Sequence, residues 1–318
     1  MKLHCLTLIL VAFVVTGYGQ PATEPQYLPI SWKVGDKRQV NQENKITSYL
    51  GADVLFETST KSSYEISVLR KMDDEYEVAL SKSTFEFINT PLQDNVQFEF
   101  LQDFMTVLLQ NFYNQNLIFT IDKESGTVTE FSNESEIIEV MNNSTLPLLE
   151  SVLRKIKPEL DDQTLLLAMS EASQIIEGKM EEMLQSMMNS ITYLFQVHGL
   201  PYALNETLST TIENYEIDQV NYFGMTYSSE LDIHSSLAGN TLKLSCNNRY
   251  NENELYEMIV VAQGKQDQVP IDSFDMTEKS NYEIDTNTSW IQRCEIIIDI
   301  VLKDVRMVDQ TRIELKKI

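Results

Sequence analysis

Side chains capable of covalent or acid–base chemistry are few in this 318-residue chain, and their spacing is wrong for it. Three histidines occur, at His4, His198 and His234. His198 lies in "FQVHGLP", where Gly199 and Pro201 end a helical pattern, and a cation there would complement the negative end of a helix. It reads as a capping residue and not as a base. His234 lies in "SSELDIHSS", beside Ser235 and two residues after Asp232. Neighbouring side chains on a strand point to opposite faces, so this trio cannot assemble a catalytic triad locally. The chain has no G-x-S-x-G elbow, H-E-x-x-H pair, phosphate loop or dinucleotide fingerprint. Carboxylates are so common that no pair is informative. "DKESG" at 122–126 lacks the further oxygen ligands and closing glutamate of a calcium loop, and two tryptophans are a thin platform for sugars. The expectation is a non-catalytic protein without metal or cofactor. A hydrolase with an unrecognised carboxylate site is the least favoured alternative.

Two features leave binding chemistry open. Cys246 in "TLKLSCNN" and Cys294 in "WIQRCEIIIDIVL" sit on the apolar faces of strand-like runs: Leu242, Leu244 and Cys246 share one face, and Trp290, Cys294, Ile296, Ile298 and Ile300 another. They can pair as a disulfide if their strands are neighbours in an oxidising compartment; otherwise they are two buried thiols. No CxxC or nearby histidine supports zinc. Methionines crowd one helical stretch, and Met180, Met183, Leu184, Met187, Ile191, Leu194 and Phe195 fall on one face at helical spacing. Such a stripe most simply fills a core. Because thioethers adapt to irregular apolar shapes, Met180, Met183, Met187, Ile191 and Phe195 are also the candidate lining for a lipid-like ligand.

The elements that would position these groups begin after a leader. "MKLHCLTLILVAFVVTGYGQP" has a basic start at Lys2, an apolar stretch too short to span a bilayer, and small residues at Gly17 and Gly19. It reads as a secretory signal peptide, residues 1–19, cleaved before Gln20. The expected address is the periplasm or the exterior, with no transmembrane helix in the mature chain. Of the 24 basic residues only Lys2 is lost with the leader, so 23 face 48 acidic ones, a net charge of −25. That balance opposes nucleic-acid binding and anionic membrane surfaces, both of which need Lys and Arg. An apolar ligand or an envelope protein remains as the expected partner.

The remaining 299 residues, 20–318, read as one α+β domain. Strands fill 30–100: "SYEISV", "EYEVAL" and "TFEFI" alternate around a charged turn, "RKMDDE". Helices and a hairpin fill 101–198. An amphipathic helix runs through Leu101, Phe104, Leu108 and Phe112, and the hairpin "NLIFTIDKESGTVTEF" turns at Gly126. A short helix then opens at Asn133 and Glu136 in a capping-box pattern, another starts near Pro147, and a long one carries the methionines. Strands return over 215–318, in "LYEMIVVA", "CEIIIDIVL" and "TRIEL" among others. The two strand sets are expected to form one curved antiparallel sheet or open β-barrel around a central helical insertion. The alternative is a split into two domains near 145 or 200.

Three motifs carry a family resemblance. They are Trp32 to Gly35 near the mature N-terminus, "FTIDKESGTVTEF" at mid-chain, and "YEIDTNTSWI" from Tyr282 to Ile291. In these the chain resembles an uncharacterised family of exported Bacteroidota proteins. It departs from them after the helical centre, where "LPYALNETLSTTIENYEI" replaces a Gly-Asp-x-Trp step. The resemblance implies an address and a rough architecture, and no activity.

Overall fold

A computed structural model describes residues 24–89, 115–156, 159, 161–167, 169–170, 191, 194–215, 226–256 and 274–318. Their dominant feature is one antiparallel sheet of eleven strands. These are β1 (Lys37–Leu50), β2 (Asp53–Lys71), β3 (Glu75–Asn89), β4 (Leu117–Asp122), β5 (Val128–Phe131), β6 (Thr207–Tyr215), β7 (Thr226–Ala238), β8 (Thr241–Tyr250), β9 (Phe274–Asp285), β10 (Ile291–Leu302) and β11 (Val305–Lys317). The hydrogen-bonded order is β5-β4-β3-β2-β1-β11-β10-β9-β8-β7-β6. Each strand therefore pairs with its sequence neighbour, except that β1 meets β11 and β5 is parted from β6.

The expected α+β class with a central helical insertion does not hold. Against eleven strands, the complete α-helices among the described residues are α1 (Glu134–Ile156) and the short α2 (Glu252–Tyr256). Several strands are longer and more polar than an alternation of apolar residues reveals. β1 holds "QVNQENK" and β6 is "TLSTTIENY", whose strand signal is β-branched threonine and not hydrophobic period. "LYEMIVVA" is the reverse case. Asn251 accepts the backbone N–H groups of Asn253 and Glu254 at 3.2 and 3.4 Å, and this cap carries Leu255 and Tyr256 into α2. The rest of that run, and the helix expected over 101–113, lie outside the described residues. α1 also continues through Pro147 where a new helix was expected to start.

The chain divides into two compact units, and β1 and β2 contribute residues to both. The unit holding 60–196 is built on β3 and β4. Tyr76, Val78 and Leu80 stand opposite Ile121, Phe119 and Leu117, and all six are fully buried. Ile137 of α1 is buried as well. The Asn133 side chain, expected to open a capping box, reaches toward β4 instead: its Oδ1 accepts the Ile118 N–H at 2.9 Å and its Nδ2 donates to the Asn116 carbonyl at 2.7 Å, tying the start of α1 to β4. Trp32 packs its ring on Tyr76 and Phe195, with centroids 5.6 and 5.1 Å away.

The β4–β5 hairpin explains its own sequence. The Asp122 carboxylate accepts the N–H groups of Glu124 and Ser125 and the Ser125 hydroxyl, closing the turn over "DKES". Gly126 follows at φ +70°, and a Cβ there would stand 1.9 Å from the Phe195 carbonyl oxygen. The turn is pressed against the backbone at Phe195, so glycine is required twice over, for φ and for space.

In the unit holding 197–315 a related turn recurs. The Asp285 carboxylate accepts the Asn287 N–H and the Thr288 hydroxyl, and Ser289 takes φ +53°. The Ser289 hydroxyl oxygen accepts the Ser31 N–H at 2.7 Å. Gln26 bridges to Tyr202, and His198 Nδ1 lies 2.9 Å from the Leu28 carbonyl, so three contacts strap 26–31 down.

Gly126→Ala should cost about 2–4 kcal/mol, from a strained positive φ and a forced backbone shift. Urea unfolding followed by circular dichroism measures it, and a loss below about 1 kcal/mol would contradict the close contact.

Candidate functional site

β9, β10 and β11 run in unbroken register from Arg293 to Leu302, so period-two alternation assigns each side chain to a face. One face is ionic. Arg293 pairs with Glu314, Arg312 with Glu295, Arg306 with Asp299, and Lys243 with Glu283, at 2.6–3.3 Å. Lys45 and Glu57 continue it on β1 and β2 at 2.9 Å. The Arg312 hydrogen bond holds the Glu295 carboxyl below the usual range. Exposed pairs of this kind contribute ~0–1 kcal/mol each, so their main effect is to keep this face in water.

The opposite, inner face has three zones. In the first, Ile233, Cys246, Ser280 and Ile296 form one row across β7 to β10, and Leu244, Tyr282, Cys294 and Ile313 the next; all are buried. The second zone is polar. Tyr250 donates to Glu278 at 2.6 Å, and Asn44 of β1 donates to Asp309 and reaches Thr311 at 3.2 and 3.1 Å. Burial pushes the Asp309 carboxyl up, opposed by the Asn44 hydrogen bond. The Asn44 contacts also place the even-numbered residues of β1 on this inner face.

The third zone is apolar again. Ile300 stands opposite both Met276 and Met307, and Leu302 opposite Val305. Ile46 and Leu50 of β1 share that face by alternation. So does Phe56 of β2, since its neighbour Glu57 bonds Lys45 on the ionic side. These side chains are not sealed: Met276, Ile300, Leu302, Met307 and Ile46 are half-buried, and Leu50, Phe56 and Val305 are exposed. The result is an apolar wall on five adjacent strands, backed by an ionic face and bordered by a polar band.

The residues singled out in the sequence fall elsewhere. Met180, Met183 and Met187 lie outside the described residues. Ile191 and Phe195 are buried, Phe195 against Trp32 and beneath the Gly126 turn, so both fill the core of the other unit. Cys246 and Cys294 face the first zone from β8 and β10, with β9 between them: Cys246 opposes Ser280 and Cys294 opposes Tyr282. Both are free thiols, and burial pushes Cys246 up to about 12 and Cys294 higher still. His198 lies in a 3-10 turn, Gln196–Gly199, fully buried, and desolvation lowers it to about 4, so it is neutral and not the cationic cap expected. His234 is exposed, Ser235 is buried and bonds the Ala203 carbonyl, and Asp232 bonds Ser209 and Arg249. The inward row Ile296, Ile298, Ile300 was visible in sequence. Its extension across the sheet was missed, although "LGADVLF", an apolar run wrapped round a glycine turn, was the available signal.

Among the described residues, none group as metal ligands, and no helix is long and apolar enough to cross a membrane. No family model matches the chain, and no curated protein does. Solved structures overlay it loosely. Lipovitellin, from a study of its lipid–protein interactions, is 11% identical over 90% of this chain, with a TM-score of 0.44; the match spans 25% of the lipovitellin chain. An outer membrane channel from Pseudomonas putida F1 is 7% identical over 94% of this chain and 100% of its own, with a TM-score of 0.19. Overlays this loose do not define a shared fold.

In the folded protein both thiols should resist a disulfide-exchange reagent at pH 8, because the thiolate is the reactive form and burial suppresses it. Denaturation without reductant, in protein lacking residues 1–19 and so Cys5, should release two reactive thiols, Cys246 and Cys294. None released would mean that the cysteines are paired.

Proposed function

We propose that this is a non-catalytic, exported binding protein whose ligand is a lipid-like apolar molecule lying on the inner wall of β9, β10, β11, β1 and β2. The observation that carries the reading is the part-exposed apolar surface shared by Ile300, Leu302, Val305, Met307, Leu50 and Phe56. Contiguous apolar surface left in contact with water is costly and marks an interaction site, whereas single exposed apolar residues are ordinary. The ionic ladder on the opposite face fixes which side is wet. The two methionines on the wall, Met276 and Met307, add a surface that adapts to ligand shape. The methionine-bearing helices are not needed for this reading, since Ile191 and Phe195 are committed to core packing.

A flat wall offers few directed hydrogen bonds, so selectivity should follow chain length. Each buried methylene contributes about 0.8 kcal/mol, so each added carbon should tighten binding roughly fourfold until the wall is covered. The adjacent band of Glu278, Tyr250, Asp309 and Asn44 suits the polar end of an amphiphile. No acid–base step is assigned to these groups.

Displacement of a fluorescent polyene fatty acid by alcohols of increasing chain length tests the reading. Saturable binding with a chain-length trend is expected. Ile300→Asp should weaken it at least about tenfold, by placing a charge where the alkyl chain lies. Absence of saturable binding, or equal affinity for short and long chains, would overturn the assignment.

A further inference from the structure

The inner face carries charge of one sign. Over the paired stretches of β7 to β11 its inward positions include two carboxylates, Glu278 and Asp309, and no lysine, arginine or histidine. Lys243, Arg249, Lys279, Arg293, Arg306 and Arg312 all have the opposite parity. On the ionic face Glu283, Glu295, Asp299 and Glu314 each have a basic partner. Asp309 has an amide instead. Its Oδ1 accepts an N–H of Asn44 at 3.2 Å, from an amide shared with Thr311. Among the described residues no basic side chain reaches it and no donor reaches its Oδ2. It is half-buried, and desolvating a carboxylate without a countercharge is unfavourable. Burial accordingly pushes this carboxyl up.

Asp309 also stands at the edge of the wall. Met307, the next inward residue on β11, lies roughly 7 Å along the strand and opposite Ile300. Val305, at the open end, is roughly 14 Å away. We infer that the wall's ligand is an alkyl chain ending in an ammonium group, with Asp309 as its counter-ion. The inference rests on the wall reading and names the head of the amphiphile that the wall holds. An ammonium brings three N–H donors, enough to serve Oδ2, and its charge compensates a carboxylate that burial disfavours. Charge-assisted hydrogen bonds are roughly twice as strong as neutral ones, so an amine should bind more tightly than the alcohol of equal length. A carboxylate head would meet Asp309 with like charge, and no inward cation on β7 to β11 would offset it. Glu278 does not share the head. It is 6% exposed, accepts the Tyr250 hydroxyl, and lies two strands from Asp309, roughly 10 Å away across Ile298.

Calorimetric titration of the full chain with decylamine, decanol and decanoate at pH 8 tests the inference, since the amine is then protonated and the acid ionised. Saturable binding in the order amine, alcohol, carboxylate is expected, with decylamine at least about tenfold tighter than decanol. Asp309→Asn keeps the shape and the acceptor for Asn44 but removes the charge. In that variant decylamine should fall to within about twofold of decanol, and decanol itself should bind as before. Glu124→Gln removes one exposed charge from the β4–β5 turn and should leave the amine preference intact, which separates Asp309 from the general attraction of a chain at −24. Ethylamine, the head without the chain, should show no saturable binding. With decanol still bound, four results would overturn the ammonium assignment and leave the wall in place. These are decylamine no tighter than decanol in the wild type, an amine preference that survives in Asp309→Asn, its loss in Glu124→Gln, or saturable ethylamine binding. Loss of decanol as well in Asp309→Asn would also overturn it, since Asp309 would then hold the wall's structure. If none of the three ten-carbon ligands binds, the wall reading fails and this inference fails with it.

Discussion

Continuous register is the constraint on which the rest depends. In an antiparallel sheet a slip of one residue moves every side chain to the other face. β10 keeps its pairing with both β9 and β11 from Arg293 to Leu302, so Arg293, Glu295 and Asp299 stay on one side while Cys294, Ile296, Ile298 and Ile300 stay on the other. The one irregularity, between Ile291 and Arg293, falls beside the Asp285 turn, before this stretch begins. Faces this unlike also protect the register, because a slipped β10 would carry Glu295 and Asp299 into the buried row and leave their arginine partners behind. The desolvation cost of unpaired carboxylates far exceeds the small gain of the surface pairs themselves.

With the faces fixed, the inner one grades from sealed packing to part-exposed apolar surface. Tyr282, Cys294 and Ile313 are buried as core residues are. The polar band comes next, and there the costs are met locally: the Tyr250 hydroxyl serves Glu278, and Asn44 serves Asp309 and Thr311. Beyond the band the side chains are apolar once more but only half covered. A sheet that merely needed solubility would carry serine, threonine or charge at Ile300, Leu302 and Val305. The reverse face of the same stretch also holds half-buried Ile297, Val301 and Val308, but there Arg306 with Asp299 and Arg312 with Glu295 lie between them.

Much of this was legible in the sequence, and the errors have physical causes. The alternation in "CEIIIDIVL", "EYEVAL" and "LIFTID" gave the strands and their inward residues, because apolar period two survives wherever one face is buried. The turn at Gly126 was legible because positive φ selects glycine. β6 was obscured because its apolar residues Leu208 and Ile212 are parted by the polar run Ser209–Thr211, too sparse an alternation to read. "LYEMIVVA" misled because a two-bond cap at Asn251 outweighs the strand propensity of Leu255 and Tyr256. The neutral state of His198 could not be read from a neighbouring glycine and proline, since burial against the Leu28 carbonyl comes from residues 170 positions away. The wall was missed for a related reason: it is assembled from five strands, and no one of them contributes more than a few side chains.

Methyl-resolved NMR during titration with a medium-chain alcohol tests the central claim most directly. If the inner wall binds the alkyl chain, the methyl signals of Ile300, Leu302 and Met307 should shift and saturate together, while those of Ile313 and Ile233, sealed in the first zone, stay in place. Shifts confined to methyls outside the wall, or no saturable shift at all, would contradict a lipid-like ligand on this face.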